Sequence, residues 1–181
     1  MTMIATGALD RAQSEIPAGD VGALVQRMHQ LIQATQKQDS VSSQPQEGME
    51  LGACYFDGKK TGFQFCGARF SLFIAQDKEI QEIKGERKGI GYARVSDEQT
   101  YKSQHIPIKP DHAYYLTTDG YVDQVGGEDR QSFGKRRFVE AITASSGLEF
   151  RQQAEYLQKT LRDFQGDRER LDDVALIGFR F

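Results

Sequence analysis

Two acidic motifs, each joined to a run of residues that resembles a β-strand, most constrain the fold of this chain. Residues 114–118 are aromatic and β-branched, and the run stops at an Asp-Gly turn that begins at Asp119. Residues 174–179 are short and apolar, and they follow Asp172 directly. If the two strands are antiparallel neighbours, Asp119 and Asp172 lie at one edge of the sheet. Clustered carboxylates repel one another and are tolerated best around a hard divalent cation, so the pattern predicts a metal site.

Length and composition bound the class of protein. The 181 residues are enough for one domain with a sizeable core. The net charge of -3 does not indicate a surface that binds nucleic acid. No apolar stretch approaches the ~20 residues needed to cross a bilayer, and the first residues lack the basic segment of a secretion signal. The two cysteines, Cys54 and Cys66, are too few for a disulfide framework and are interpreted as buried thiols. We expect a cytoplasmic protein that neither binds nucleic acid nor inserts into a membrane.

The first fifth of the chain is predicted to be helical. Residues 1–35 form a helical pair, because apolar residues recur at helical spacing and Asp20 is a suitable cap for the second helix. His29 lies one position off the apolar stripe, which predicts a surface or half-buried side chain. Residues 36–50 are polar and predict a loop.

Residues 51–181 are predicted to hold a sheet, two helices and a closing strand, which makes the fold class α+β. Short runs separated by turn residues predict an antiparallel meander, followed by an edge strand at 79–84 and a further strand at about 98–106. Helical spacing predicts a short helix from Phe133 to Ile142 and a longer one from about Phe150 to Phe164.

Five motifs carry a resemblance to a known family. In chain order they are CGAR at 66–69, GERKGIG at 85–91, LTTDGYVDQ at 116–124, FG at 133–134 and DDVAL at 172–176. Their joint occurrence resembles the bacterial sporulation stage II E-like phosphatases, over nearly the whole chain from 1 to 181. These are the prokaryotic branch of the metal-dependent protein serine/threonine phosphatases of type 2C.

The resemblance implies a fold and a mechanism. The fold is an antiparallel β-sandwich flanked by helical layers, and its site binds two Mn²⁺ or Mg²⁺ ions that activate a water for in-line attack on phosphorus. By this match Asp119 and Asp172 are metal ligands, and Gly120 and Asp173 support them. The candidate phosphate or substrate contacts are Arg69, Arg87 and Lys88, although the loop at 84–88 is equally consistent with a solvated hairpin tip.

The chain departs from the family pattern at its start. The family begins with two aspartate-bearing strand motifs that lead into a helix, whereas this sequence resembles that helix from Met1 onward. We therefore expect the C-terminal two-thirds of a phosphatase domain, incomplete at its N-terminal edge and with little or no activity alone. An unpaired sheet edge is also expected, and it favours a homodimer or aggregation.

The implied function is metal-dependent hydrolysis of phosphoserine or phosphothreonine on a bacterial regulatory protein. The resemblance implies a substrate of the anti-sigma-factor-antagonist type and upstream sensor or receiver domains. A non-catalytic regulatory or interaction module that retains the fold is the alternative. A third reading is an unrelated α+β binding domain, in which the acidic pairs are ordinary turns.

Overall fold

The computed structural model describes residues 2–39, 48–58 and 61–181, which divide into two compact units. Unit 1 comprises Met1–Ser71 and Lys84–Ile108, and unit 2 comprises Leu72–Ile83 and Lys109–Phe181. The described elements, in chain order, are α1 (Thr2–Glu15), α2 (Val21–Asp39), β1 (Leu51–Phe56), β2 (Gly62–Ala68), β3 (Ser71–Gln76), β4 (Glu79–Lys84), β5 (Gln104–Pro107), β6 (His112–Thr117), α3 (Asp119–Val122), β7 (Val125–Gly126), β8 (Gln131–Ser132), α4 (Gly134–Ser145), α5 (Phe150–Gln165) and β9 (Leu176–Phe179).

Unit 1 consists of helices α1 and α2 packed against a three-stranded antiparallel sheet of order β1-β2-β5. The apolar stripe of α2 supplies Val25, Met28 and Ile32, which are nearly inaccessible to solvent. Asp20 caps this helix as predicted, since its Oδ1 accepts a hydrogen bond of 3.0 Å from the backbone N–H of Ala23. The loop predicted at 36–50 was wrong for residues 36–39, which belong to α2, and residues 40–47 lie outside the described part of the chain.

The prediction for His29 was wrong, because this side chain is completely buried. Its Nδ1 accepts a hydrogen bond of 2.9 Å from the backbone N–H of Gly91, and its Nε2 lies 2.9 Å from the carbonyl oxygen of Ser96. On the same helix, Gln33 Nε2 donates to the carbonyl oxygens of Tyr92 and Val95. The irregular segment that contains Gly91 and Ser96 thus covers this face of α2. The polar side chains of His29 and Gln33 hold it there.

The strand predicted at about 98–106 is shorter in the structure and comprises only Gln104–Pro107, because the irregular segment precedes it. The side chain of Tyr101 is buried, and its hydroxyl donates to the carbonyl oxygen of Gly89 at 2.8 Å. The segment before β5 is therefore fixed by side-chain hydrogen bonds and not by a strand ladder.

Unit 2 has a four-stranded sheet of order β4-β3-β6-β9, with α4 and α5 packed against it through a shared core. Strands β6 and β9 are antiparallel neighbours, with Thr117 opposite Leu176 and Tyr114 opposite Phe179. The predicted adjacency of the two acidic motifs is thus confirmed, as is the position of β4 at an edge. The core residues of this unit are Phe73, Ala75, Tyr115, Tyr121, Phe133, Phe138, Ala141, Ile142, Leu157 and Leu161.

The predicted meander was wrong, because it is interrupted between β2 and β3, which belong to different sheets. Strand β2 pairs with β1 and β5, whereas β3 pairs with β4 and β6. The chain changes sheet at Arg69, whose φ of 54° is left-handed and interrupts the extended backbone. The spacing of apolar residues predicts where strands lie in the sequence. It does not predict the sheet to which each strand belongs.

The two cysteines are free thiols, as expected, although only one is fully buried. Burial raises the pKa of Cys66 to about 12 and that of the half-buried Cys54 to about 11. Both thiols are therefore protonated at neutral pH and chemically unreactive. In the ranges that the structure covers, no helix has the length and apolar character needed to span a membrane.

Glu15, the last residue of α1, pairs with Arg27 of α2, and this link predicts a pH dependence. Hydrogen bonds from Arg27 and Arg11 lower the pKa of Glu15 from 4.5 to about 2. Because the folded-state pKa is depressed, the stabilisation is present above pH 4.5 and is lost as the pH falls towards 2. We expect Glu15→Gln to flatten the pH dependence of the unfolding free energy in this window, as measured by urea unfolding. The exposed Glu155→Gln is the control, and an unchanged profile in Glu15→Gln would contradict the assignment.

Candidate functional site

Asp119 lies where β6 ends and the short helix α3 begins. Thr118 is extended, with φ -70° and ψ 161°, and the chain turns into α3 at Asp119. The carboxylate is half-buried, and its Oδ1 accepts a hydrogen bond of 2.9 Å from the backbone N–H of Gly120. The other carboxylate oxygen does not accept this hydrogen bond and can bind a ligand.

Thr118 fastens the segment that carries Asp172 and Asp173 to the end of β6. Its Oγ1 donates to the carbonyl oxygen of Asp173 at 3.0 Å and accepts from the backbone N–H of Ala175 at 3.0 Å. Its backbone N–H donates to the carbonyl oxygen of Ala175, also at 3.0 Å. The two acidic motifs are therefore joined by hydrogen bonds from one residue, which the sequence analysis did not single out.

Gly120 allows the two segments to touch through their backbones. A Cβ at this position would lie 2.4 Å from the carbonyl oxygen of Asp173 and 3.3 Å from the carbonyl carbon of Asp172. Such distances exclude any side chain unless the backbone shifts. The close approach of the two backbones therefore requires glycine at this position.

Tyr121 anchors α3 in the core of unit 2. Its ring is 1% exposed and meets Phe133 and Phe138 edge to face, with centroids 5.3 and 5.1 Å away. Its hydroxyl donates to the carbonyl oxygen of Leu157 in α5 at 2.7 Å. Burial raises the pKa of this phenol, which therefore remains a donor. The sequence alone did not predict this role, because aromatic residues occur throughout this part of the chain.

The carboxylates of the site match a hard divalent cation in chemical type. Asp172 and Asp173 are exposed, and Asp172 Oδ1 accepts a hydrogen bond of 2.7 Å from the backbone N–H of Asp173. Mg²⁺ and Mn²⁺ prefer such oxygen ligands. Across the described ranges, however, no three acidic, histidine or cysteine side chains are grouped closely enough to hold a metal ion. The donor type fits, while the number of protein ligands leaves most coordination positions to water.

The candidate phosphate contacts belong to unit 1, whereas the aspartates belong to unit 2. Arg69 Nε lies 2.9 Å from Glu50 Oε1, so its charge is partly neutralised. The backbone N–H of Arg69 donates to the carbonyl oxygen of Glu86 at 2.7 Å, which joins the Arg69 turn to the loop that bears Arg87 and Lys88. Both of these side chains are exposed. The structure thus brings the three cations into neighbouring segments of one unit.

The sequence matches the family of stage II sporulation protein E (SpoIIE) over residues 1–181. The chain belongs to the SpoIIE family. A solved structure of the SiaA-PP2C domain of Pseudomonas aeruginosa is similar to this chain, with 31% sequence identity and a TM-score of 0.86. The similarity covers 99% of this SpoIIE-family chain and 68% of the SiaA-PP2C chain. No curated protein matches the sequence significantly.

More distant structures show the same fold. The phosphatase domain of SpoIIE from Bacillus subtilis, solved with a fragment of its regulatory domain, gives a TM-score of 0.71 at 12% identity. The similarity covers 98% of this chain and 48% of that one. The catalytic domain of the serine/threonine phosphatase PstP, solved with two manganese ions, gives 0.64 at 15% identity and covers 97% of this chain and 77% of that one. The predicted fold class, α+β with antiparallel sheets of the type 2C phosphatases, is confirmed.

Proposed function

We propose that this SpoIIE-family chain is a metal-dependent phosphatase domain that acts on phosphoserine or phosphothreonine of a bacterial regulatory protein. The observation that carries the proposal is the hydrogen-bonded junction between the end of β6 and the start of β9. Thr118, which precedes Asp119, forms hydrogen bonds with Asp173 and Ala175 and so joins the two acidic segments at this junction. An ordinary hairpin turn does not require two acidic segments in backbone contact. A cation that both segments bind would favour this arrangement.

The residues of the chain have distinct roles in this proposal. Asp119 and Asp172 would hold the cation, and Asp173 would support them. When bound, Mn²⁺ or Mg²⁺ supplies a Lewis acid that stabilises charge on a phosphoryl group. Arg87 and Lys88 are exposed cations suited to contact the phosphate of a protein substrate. Arg69 is assigned the same role, weakened by its pairing with Glu50.

The substrate and partners follow from the resemblance. A phosphorylated protein of the anti-sigma-factor-antagonist type is the proposed substrate, and sensor or receiver domains are the proposed regulators. The manganese ions described with PstP support a divalent cation in this role. Because Asp119 and Asp172, with Asp173 in support, are few ligands, one shared ion is proposed for this chain.

A phosphatase assay tests the proposal directly. With a phosphorylated peptide and millimolar Mn²⁺, we expect slow turnover that falls at least about tenfold in Asp119→Asn, because the cation loses a protein ligand. The exposed Asp123→Asn, four residues further along the chain, is the matched control and should retain the activity. Turnover that is equal in all three proteins would contradict the assignment of Asp119.

The second candidate function is a non-catalytic regulatory or interaction module that retains the fold and binds a partner protein without hydrolysis. It is favoured by the small number of grouped carboxylates in the described part of the chain. Absence of turnover together with Mn²⁺ binding that depends on Asp119 would support this module and exclude the enzyme.

A further inference from the structure

The segment that carries Asp172 has no regular structure of its own. Residues 166–175 lie between α5 and β9 and belong to neither a helix nor a strand, and Asp172 itself is exposed. The position of a carboxylate on such a segment depends on contacts with neighbouring elements, because no helix or strand hydrogen bonds fix it. Thr118 provides one such contact, through Asp173 and Ala175.

Gln124 provides a second contact, on the other side of Asp172. Its Nε2 donates to the carbonyl oxygen of Glu169 and to that of Val125, at 3.1 Å each. Glu169 lies three residues before Asp172, and Asp173 follows it directly. Asp172 is therefore flanked by two anchored positions on an irregular stretch of chain.

Gln124 is itself fixed by its surroundings. Its side chain is 1% exposed, and its carbonyl oxygen accepts a hydrogen bond of 2.8 Å from the backbone N–H of Phe133. The next residues, in the hairpin of β7 and β8, contact the end of α5. There the backbone N–H of Gly127 donates to the carbonyl oxygen of Phe164 at 2.9 Å, and Gly126 approaches this oxygen so closely that a Cβ would clash with it. Gln124 therefore reaches the Asp172 segment from a well-ordered position.

The two anchoring residues flank the short helix that begins with Asp119. Helix α3 comprises Asp119–Val122, so Thr118 directly precedes it and Gln124 lies two residues beyond its end. A single helical turn has a fixed length, so residues at its two ends keep a fixed separation. Asp119 and both contacts to the Asp172 segment therefore belong to one stretch of seven residues, 118–124.

Burial of the Gln124 amide is not favoured by packing alone. Its Oε1 is buried, and among the described residues none donates a hydrogen bond to it. A buried acceptor without a protein partner is destabilising. An apolar side chain of similar length would remove this acceptor together with two hydrogen bonds, so the two effects on stability oppose each other. The contact that requires an amide here is the one with Glu169 and Val125.

We propose that Gln124 is a positioning residue that fixes the Asp172 segment relative to Asp119, with Thr118 as the second anchor. It acts through the carbonyl oxygen of Glu169 and does not touch the cation. The inference deepens the proposed function and rests on it for the role of Asp172. The anchoring contact itself is a property of the chain without metal and is tested separately.

Amide hydrogen exchange in the absence of metal tests the anchor. Gln124→Met keeps the length of the side chain and removes its amide. We expect the backbone N–H groups of residues 169–173 to exchange at least about tenfold faster in this variant, relative to the strands of unit 2, because the segment opens more often. Gln153→Met is the matched control, since Gln153 is also buried in unit 2 and its amide pairs with Tyr115 and Leu148. Unchanged exchange in Gln124→Met, or an equal increase in the control, would overturn the proposal.

Mn²⁺ affinity and stability, measured on the same proteins, separate a positioning role from a structural one. We expect Gln124→Met to raise the Mn²⁺ dissociation constant at least about tenfold, with little change in the urea midpoint. Gln153→Met should lower the midpoint and leave the dissociation constant unchanged, because both polar atoms of its amide are paired. A lower midpoint with an unchanged dissociation constant in Gln124→Met would overturn the positioning role. If the unmodified chain binds no Mn²⁺, the proposed metal site fails, and the exchange experiment alone decides whether Gln124 is the anchor.

Discussion

Gly120→Ala is expected to destabilise unit 2 and to separate the two acidic segments. The added methyl group would lie 2.4 Å from the carbonyl oxygen of Asp173, a backbone atom that cannot move without breaking the hydrogen bond from Thr118. We expect the free energy of unfolding to fall by about 1–3 kcal/mol, the range for a steric insertion into a packed site. Urea unfolding monitored by circular dichroism measures this change.

Gly147→Ala is the matched control for this substitution. A Cβ at Gly147 would meet no atom within 4 Å, so we expect the unfolding free energy to change by less than about 0.5 kcal/mol. If Gly120→Ala were as harmless as Gly147→Ala, the contact between the backbones at Gly120 and Asp173 would not be a constraint on the site.

Tyr121→Ala is expected to have the largest effect on stability, about 3–5 kcal/mol, because it removes a fully buried aromatic ring. The ring lies against Phe133 and Phe138, and its loss leaves a cavity beneath α3. The same urea unfolding measurement tests this value. A loss below about 1 kcal/mol would mean that α3 is not anchored through this side chain.

Tyr121→Phe separates the hydroxyl from the ring. It retains the aromatic contacts and removes only the hydrogen bond to the carbonyl oxygen of Leu157. We expect a loss of about 1 kcal/mol, the usual net value of one hydrogen bond, plus the cost of an unpaired carbonyl. The difference between the two variants therefore measures the contribution of ring packing.

Much of unit 2 is predictable from the sequence because its signals are local. The aromatic and β-branched run before Asp119 and the apolar run after Asp172 form antiparallel strands β6 and β9, which are paired as expected. Strand β4 also has the predicted bounds. Alternation, turn residues and helical spacing act within a few residues, so a single sequence reveals them.

Features that depend on contacts distant in sequence were not predictable. His29 is buried because the segment at Gly91 and Ser96, more than 60 residues away, supplies its hydrogen bonds. The role of Thr118 depends on Asp173 and Ala175, which lie 55 and 57 residues away. The change of sheet at Arg69 depends on the backbone contact with Glu86. Nothing in the local pattern at these positions specifies the partner.

A calorimetric titration with Mn²⁺ tests the central claim, that Asp119 and Asp172 form one cation site. It compares the unmodified chain with Asp119→Asn, Asp172→Asn and the control Asp123→Asn. We expect weak binding by the unmodified chain and by the control, and loss of binding in both of the other variants, because each removes one of the few protein ligands. Absence of binding by the unmodified chain, or binding that survives in either Asp119→Asn or Asp172→Asn, would contradict a shared site.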